Sequence, residues 1–289
     1  MFTKPTAPRG IGGTLDDSIR LFRTGFAKSW PLALGAQLLV GIPTFYFRVK
    51  LGAAGQNPQQ LLAMYLSASF WLPYLVCGIA AIGLYNAVTL QLSSEFQGTP
   101  ESTRESMVRG YRLLGRVLLM FLVFGVFWAA IALVAAIAGG LIFATGAQIS
   151  PLLRVAIILL LTPVVVYLMG RLFLTNVALL ADDLRVFASV RTSWNLTNGN
   201  WWRGATVYGV MLLIAIVFYV IIGSVAGVIT YSFGAASVAG AGLTELVSLV
   251  GATLILPLIS ATLVAIYYDF KLRIEGADLA GRVNALPPR

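Results

Sequence analysis

The sequence contains no histidine and only one cysteine, Cys77, among its 289 residues. The lack of histidine excludes histidine-based zinc sites, Cys–His nucleophilic pairs and Ser–His–Asp triads. A single cysteine excludes a disulfide within the chain, and Cys77 lies inside an apolar run, where we interpret it as a small packing residue. The sequence also has no metal-ligand spacing, phosphate-binding glycine loop or paired acid and base. We therefore expect no catalytic site, no metal site, no cofactor and no enzymatic activity.

Charged residues are scarce as well: they make up 11% of the chain, whereas 58% of the residues are hydrophobic. A soluble domain carries about 25% charged residues, and this composition could not cover a soluble surface. A bilayer accepts an apolar exterior, so we predict a single all-α membrane domain. The net charge of +9 comes from Lys and Arg residues in short segments beside apolar runs, which is the pattern set by membrane orientation. We expect no nucleic-acid partner.

Six apolar segments are long enough to cross a bilayer, since a spanning helix needs about 20 mainly apolar residues. Prolines inside three of them predict kinks. The predicted fold is a polytopic bundle of six transmembrane helices (30–270), between an N-terminal amphipathic segment (1–29) and a C-terminal tail (271–289). The six segments are Trp30–Phe47, Phe70–Leu92, Val117–Ala144, Leu152–Ala181, Thr206–Tyr231 and Leu246–Tyr268.

Lys and Arg residues are distributed unequally between the two sides of the predicted membrane domain. Sixteen of the twenty lie in the N-terminal segment, the second and fourth loops and the C-terminal tail. Only Arg48, Lys50 and Arg154 lie on the opposite side, and Arg171 lies inside a span. Because cytoplasmic loops carry the excess of basic residues, both termini are predicted to be cytoplasmic.

Three segments on the basic side have apolar residues at helical spacing, and basic residues on their polar faces suit anionic lipid headgroups. Thr14 with Asp17 is predicted to cap the first of these helices, and Thr99 followed by Pro100 to begin the second. The apolar stripes are Leu15, Ile19, Phe22 and Phe26 in the first, Met107, Tyr111 and Leu114 in the second, and Phe187, Val190 and Trp194 in the third.

Acidic residues end the second, fourth and sixth spans at equal intervals, as Glu95-Phe96, Asp182-Asp183 and Asp269-Phe270. Together with the amphipathic segments, this spacing predicts a threefold repeat of one amphipathic helix plus one transmembrane hairpin. Residue identity between the three repeats is slight. The alternative is that any six-helix protein with short loops gives similar spacing by chance.

The region around the end of the fourth span carries a recurring pattern. It begins with Arg171-Leu-Phe-Leu-Thr-Asn-Val-Ala-Leu-Leu-Ala-Asp-Asp and continues with Ala188-Ser-Val-Arg-Thr-Ser-Trp-Asn-Leu-Thr. This pattern resembles the six-span bacterial family named after the membrane domain of glycerophosphoryl diester phosphodiesterases. The prolines usual after the arginine are absent, with Asn176 and Val177 in that region, and the soluble phosphodiesterase domain is missing. The resemblance implies a multi-pass protein of a bacterial inner membrane and does not imply phosphodiesterase activity.

Arg171 is the most distinctive candidate residue, because a charged side chain inside a span is costly and often functional. A straight helix would place it about 16 Å from Asp182, near mid-membrane. Its predicted partners are Asn86, Gln91, carbonyl groups freed at Pro257, or a lipid phosphate. The alternative is a snorkelling or structurally hydrogen-bonded arginine.

Acidic residues and tryptophans on the basic side are predicted to form a cytoplasmic interface. The acids are expected to cap helices or to pair with Arg104, Arg185 and Lys271. The predicted interface consists of Glu95, Asp182, Asp183, Arg191, Trp194, Trp201, Trp202 and Asp269.

Three functions are compatible with these features. The first is a non-enzymatic inner-membrane protein that organises or regulates anionic lipids, or a membrane or cytoplasmic protein partner. The second is a small permease or lipid-handling transporter, alone or coupled to an ATPase, that uses Arg171 in a membrane cavity. The third is an intramembrane enzyme, for which the sequence supplies no catalytic set.

Cysteine labelling tests the predicted topology, in a Cys77→Ser background. A membrane-impermeant maleimide added to intact cells should label Gln56→Cys, which lies in a loop expected outside the cytoplasm. Ser102→Cys should react only after the membrane has been permeabilised. Labelling of Ser102→Cys in intact cells would overturn the orientation.

Overall fold

The computed structural model describes residues 2–54, 58–144, 151–234 and 237–284. Within these ranges every regular element is an α-helix, and six helical segments are long and apolar enough to cross a membrane. The predicted all-α bundle with six transmembrane helices is therefore confirmed. The helices are α1 (Ile11–Ala54), α2 (Pro58–Tyr65), α3 (Ala68–Gln97), α4 (Thr103–Arg112), α5 (Leu114–Ala144), α6 (Pro151–Leu172), α7 (Thr175–Ala181), α8 (Val186–Thr197), α9 (Trp201–Phe233) and α10 (Val238–Asn284).

The chain forms two compact units. Unit 1 is Met1–Leu114 with Ala205–Arg289, and unit 2 is Gly115–Gly204. In unit 1, α1 packs against α3 and α10, and α3 also packs against α4 and α10. In unit 2, α8 packs against α6 and α7.

Two helices of unit 1 are much longer than a membrane is thick. Helix α1 has 44 residues and α10 has 47, which correspond to about 66 and 70 Å of helix. The hydrocarbon core is about 30 Å thick, and even a tilt of about 40° leaves roughly 30 Å of each helix outside it. The predicted N-terminal amphipathic segment is therefore the first part of α1, which runs unbroken through the predicted boundary at residue 30.

The fourth predicted span, Leu152–Ala181, differs from the others because its helix is interrupted. It corresponds to α6 and α7, which are separated by Phe173 and Leu174. The Ala178 N–H donates to the Leu174 carbonyl oxygen at 2.9 Å, so the helical course resumes at once. The interruption contains no proline, and the three prolines predicted to kink spans lie inside α3, α6 and α10.

Two predicted helix starts are wrong. Helix α1 begins before Thr14, whose hydroxyl donates to the Gly10 carbonyl oxygen at 3.2 Å. Helix α4 begins after Pro100, because Ser102 is its N-cap: the Glu105 N–H donates to the Ser102 hydroxyl, and the Ser102 N–H donates to the Glu105 carboxylate. This capping box satisfies both backbone donors, and the bond from the Ser102 backbone lowers the pKa of Glu105.

Small and hydroxylated residues form the buried faces of the three amphipathic segments. Ser18 in α1, Ser106 in α4 and Ser189 in α8 are each 0% exposed. The apolar stripes lie elsewhere, since Ile19 is 42% and Phe187 72% exposed. In a membrane protein, small residues let helices approach closely, and large apolar side chains can face lipid. Stripe members such as Ile19 and Phe187 therefore lie on the outward faces of these segments.

Buried polar side chains gather at one end of unit 1, which we call the polar end. The Ser93 and Tyr268 hydroxyls lie 2.9 Å apart there, and join α3 to α10. Because buried polar groups require partners, this cluster constrains how α1, α3, α4 and α10 meet. Its members, each at most 6% exposed, are Asp17, Ser18, Asn86, Gln91, Ser93, Ser94, Glu95, Ser106, Tyr268 and Asp269.

Helix α4 lies directly against the backbone of α3. A side chain at Gly110 would begin 2.5 Å from the Gly83 carbonyl oxygen and 2.8 Å from the Ala87 nitrogen. The Asn86 amide donates to the Gly110 carbonyl oxygen at 3.4 Å, and the Tyr111 ring covers Gly83. Backbone atoms cannot move aside as a flexible side chain can, so this approach requires glycine at position 110.

Substitution of Gly110 should therefore separate α4 from α3. We expect Gly110→Ala to lower the free energy of unfolding by about 1–3 kcal/mol, as overpacking in a close contact does. Gly78→Ala is the matched control, because this glycine also lies in a helix and has no atom within 4 Å of the added methyl. Unfolding in detergent, followed by circular dichroism, measures both. Equal stability of the two variants would contradict the close packing at Gly110.

Candidate functional site

Arg171 lies in the last turn of α6 and is almost completely buried, with 4% of its surface exposed. Its guanidinium carbon lies 4.3 Å from the centre of the Trp194 ring and 5.7 Å from the centre of the Tyr167 ring. The Ser193 hydroxyl donates to the Arg171 carbonyl oxygen at 2.8 Å, which fixes α8 beside the end of α6. Aromatic faces thus hold the cation, a contact that contributes about 0.5–2 kcal/mol.

Trp201 completes the aromatic surroundings of this helix end. Its indole packs on the backbone of Gly170, where a side chain would begin 2.2 Å from Trp201 Nε1. The Trp201 ring also contacts Tyr167 at 5.9 Å and Trp202 at 4.4 Å between centroids. An aromatic ring over a glycine is the arrangement already seen in unit 1, where Tyr111 covers the glycine of α3.

Several buried polar atoms around Arg171 lack hydrogen-bond partners. Within the described residues these are Arg171 Nε, Thr175 Oγ1, Asn176 Oδ1 and Trp201 Nε1. Such groups are rare in folded proteins, and each costs about 1–3 kcal/mol when it is left unpaired. The set combines two nitrogen donors and a hydroxyl, which can donate to water or to an anion, with an amide oxygen, which accepts from water or another donor. Arg171 lies just before the interruption between α6 and α7. The prediction that Arg171 lies near mid-membrane assumed one straight helix as far as Asp182, and that helix is not continuous.

Asn86 and Gln91, the predicted partners of Arg171, lie in unit 1 and contact nearby backbone. The Asn86 amide donates to Gly110, and the Gln91 amide donates to the Glu101 carbonyl oxygen at 2.9 Å. Both bonds hold α4 and the loop before it against α3. Contact of either residue with a substrate or lipid stays a prediction.

Three of the predicted interface acids, Glu95, Asp183 and Asp269, form ion pairs within their own units. Glu95 pairs with Lys28 at 2.5 Å, and not with Arg104 as predicted. Asp183 pairs with Arg116 at 2.5 Å. Among the described residues, no three His, Cys, Asp or Glu side chains lie close enough together to hold a metal ion.

The other interface residues of unit 2 lie along α8 and its flanks. Asp182 is the C-cap of α7, and its N–H donates to a carbonyl oxygen one turn earlier at 3.3 Å. Arg191 is exposed on α8, and Trp194 is 39% exposed although it covers the arginine. Trp201 is half-buried, whereas Trp202 is 76% exposed. The exposed members of this set are one cation and large aromatic rings.

The residues before α1 pack onto the polar end. In the sequence, the one indication of this contact is Phe2, an aromatic residue in an otherwise polar segment. Phe2 is 6% exposed, and its ring centroid lies 4.9 Å from that of Phe96. The Arg9 N–H donates to Asp269 Oδ1 at 2.8 Å, and Asp269 also pairs with Arg273 at 3.0 Å. The N-terminal segment is therefore part of the polar end.

A double-mutant cycle between Arg171 and Trp194 tests the aromatic support of the cation. Arg171→Met and Trp194→Leu should show a coupling free energy of about 0.5–2 kcal/mol in unfolding experiments, because each removes the same cation–π contact. Trp202→Leu is the control, since this ring is 76% exposed and packs on Trp201. Coupling of Arg171 to Trp202 as strong as to Trp194 would contradict the assignment.

No protein-family model, curated protein or solved structure matches this chain. The family resemblance described above therefore stays an expectation. The geometry supports a broader conclusion: six apolar helices and outward-facing aliphatic and aromatic side chains make this an all-α, multi-pass integral membrane protein.

Proposed function

We propose that this protein is a non-enzymatic protein of the bacterial inner membrane that organises anionic lipids, with both termini in the cytoplasm. The observation that carries the proposal is the outward face of α8. On α8, Phe187 is 72% exposed and Arg191 is exposed, while Ser189 and Ser193 are 0% exposed; Trp202, at the start of the next helix α9, is 76% exposed. Large apolar groups beside a cation fit the boundary between acyl chains and negatively charged headgroups.

The first part of α1 and α4 support the same proposal. Each buries a serine and turns an apolar residue outward, as Ile19 at 42% and Met107 at 37% exposure illustrate. Exposed arginines accompany them, including Arg20 and Arg112. Juxtamembrane cations attract anionic lipids by about 1 kcal/mol each. Three segments of this kind on one side of the membrane would enrich such lipids around the protein.

The distribution of Lys and Arg supports the proposed orientation, because cytoplasmic loops carry the basic excess. The resemblance to the membrane-domain family of glycerophosphoryl diester phosphodiesterases supports a bacterial inner membrane. It adds no reaction, since the catalytic activity of that family belongs to a soluble domain. A membrane or cytoplasmic protein that docks on the same side is a further partner compatible with the exposed aromatic residues.

A second candidate function is lipid transfer across the bilayer, and the surroundings of Arg171 favour it. Arg171 Nε and Trp201 Nε1 are buried donors without partners in the described residues, and lipid phosphate is an acceptor for both. Scrambling of a fluorescent phosphatidylglycerol in proteoliposomes tests this function. The wild type should accelerate scrambling and Arg171→Met should abolish the acceleration, whereas a purely lipid-organising protein leaves the rate at that of empty vesicles.

Native mass spectrometry tests the proposed lipid organisation. The protein would be exchanged into equimolar phosphatidylglycerol and phosphatidylethanolamine, and the retained lipids counted. The wild type should retain phosphatidylglycerol preferentially, and Arg191→Gln should lower the ratio by up to about fivefold at its site, because about 1 kcal/mol of attraction is lost.

The control is Lys50→Gln, which removes one exposed cation on the opposite side of the predicted membrane domain. It should leave the retained ratio on the basic side unchanged. Equal retention of both lipids by the wild type, or an equal effect of the two variants, would count against the proposal.

A further inference from the structure

A cavity of about 240 Å³ lies between α1, α9 and α10 within unit 1. Four polar side chains line it, and the other described lining residues are apolar or glycine. The polar side chains are Gln37, Tyr219, Glu245 and Ser248. Glu245 lies about 36 Å along α10 from Asp269 of the polar end, so the cavity belongs to the opposite side of the predicted membrane domain.

Close contacts at two glycines fix the walls of this cavity. A side chain at Gly41 of α1 would begin 3.2 Å from Glu245 Oε1, so the carboxylate lies directly against the backbone of α1. On the facing side, the Ile222 side chain of α9 fills the space above Gly251 of α10. All three helices therefore approach one another closely around the carboxylate.

Glu245 is a costly residue at this position, because α10 is long and apolar enough there to span the membrane, and an ionisable side chain inside a span is usually functional. Its side chain is 16% exposed, and its buried Oε2 has no hydrogen-bond partner among the described residues. Arg48 of α1 is the cation beside it, with Nε 3.5 Å from Oε2. This distance is too long for a directed hydrogen bond, so the carboxylate can accept from a further donor.

The other polar side chains of the cavity add acceptors to the carboxylate. The Ser248 hydroxyl donates to the Thr244 carbonyl oxygen at 2.9 Å, so towards a ligand its oxygen is an acceptor. The Gln37 carbonyl and the Tyr219 hydroxyl can accept as well. A ligand must therefore bring hydrogen-bond donors, and the carboxylate favours donors that carry positive charge. A primary ammonium group has both properties, whereas a quaternary ammonium group has no donor.

Arg48 indicates that the ligand also carries a negative charge. The pair of Arg48 and Glu245 is neutral as a whole, and 42% of the Arg48 side chain is exposed. A cation that pairs with Glu245 takes over the partner of this arginine, so an anionic group on the same ligand is needed to compensate Arg48. A phosphate matches the guanidinium, which donates to two phosphate oxygens at once.

The surface next to the cavity is suited to a lipid. Leu246 and Val250 of α10 and Val220 of α9 are sequence neighbours of lining residues, and they are 59%, 58% and 61% exposed. In a membrane protein, large exposed apolar side chains of this kind face acyl chains. A molecule that carries the ammonium and the phosphate to this cavity is therefore a lipid.

We propose that this cavity binds the headgroup of phosphatidylethanolamine. Glu245 pairs with the primary ammonium group, Ser248 and Gln37 accept further hydrogen bonds from it, and Arg48 pairs with the phosphate. The site differs from the outward face of α8 in its place, on the opposite side of the predicted membrane domain, and in its chemistry, because it selects a zwitterionic lipid. It does not depend on the organisation of anionic lipids.

Two lipids that differ only in the ammonium group test the site. The full-length protein would be exchanged into equimolar phosphatidylethanolamine and phosphatidylcholine with identical acyl chains, and the retained lipids counted by native mass spectrometry. We expect the wild type to retain phosphatidylethanolamine preferentially. Glu245→Gln should lower the ratio of the two retained lipids about tenfold or more, because hydrogen bonds to charged groups contribute on that order.

The matched control is Glu105→Gln, which removes an exposed carboxylate of α4 outside the lining of the cavity. Glutamine can still complete the capping box at this position, so the fold should be kept. The ratio of the retained lipids should equal that of the wild type.

A second variant keeps the test valid if Glu245→Gln is unstable. Ser248→Ala removes one acceptor without changing the charge, and should lower the ratio several-fold while the thermal unfolding temperature is unchanged. The pair of Arg48 and Glu245 could instead only join α1 to α10. In that case Glu245→Gln and Arg48→Gln would each lower the unfolding temperature, all variants would keep the ratio of the wild type, and the proposal would be overturned.

Equal retention of the two lipids by the wild type would also overturn the site, because phosphatidylcholine carries the phosphate and the positive charge but no ammonium donor. The mixture contains no phosphatidylglycerol, and α8 is unchanged in every variant. The outcome is therefore separable from that of the experiment on anionic lipids.

Discussion

Serine and glycine on the inner faces of α4 and α8 allow these helices to lie directly against the spans that precede them, and most other features depend on this close approach. In unit 1, Gly110 meets the backbone of α3 at Gly83, where a single methyl group would collide with main-chain atoms. In unit 2, the Ser193 hydroxyl reaches the Arg171 carbonyl oxygen at 2.8 Å. Small residues on the inner faces let some large apolar side chains, such as Met107 of α4 and Phe187 of α8, lie outside.

The surroundings of Arg171 follow from the same packing. Helix α8 returns beside the end of α6, so Trp194 covers the guanidinium at 4.3 Å. The next helix begins with Trp201, whose indole occupies the space above Gly170. A charged group that is expensive in an apolar medium is thereby enclosed by ring faces that attract cations. Its Nε has no hydrogen-bond partner among the described residues.

The six spans could be predicted from sequence because an apolar stretch of about 20 residues has few other ways to satisfy its backbone and its surface. The cytoplasmic interface that includes Trp194, Trp201 and Trp202 stays a prediction. The partner of Glu95 could not be predicted, since Lys28 lies on another helix and no sequence pattern relates the two. Some members of the predicted apolar stripes, such as Ile19 and Phe187, are exposed. The residues that actually pack, such as Ser106 and Ser189, give no periodic hydrophobic signal. The threefold repeat stays a prediction.

Burial of Phe2 has a practical consequence for anyone who handles this protein. The Phe2 ring packs on Phe96, and 6% of its surface is exposed. Residues fused directly before Phe2 would therefore begin next to this packed pair of rings. We expect an affinity tag fused there to disturb the packing between α3 and α10, where Phe96 stacks on Tyr268. The place where a label is attached, and not only its size, therefore decides whether the label changes the structure that it is meant to report.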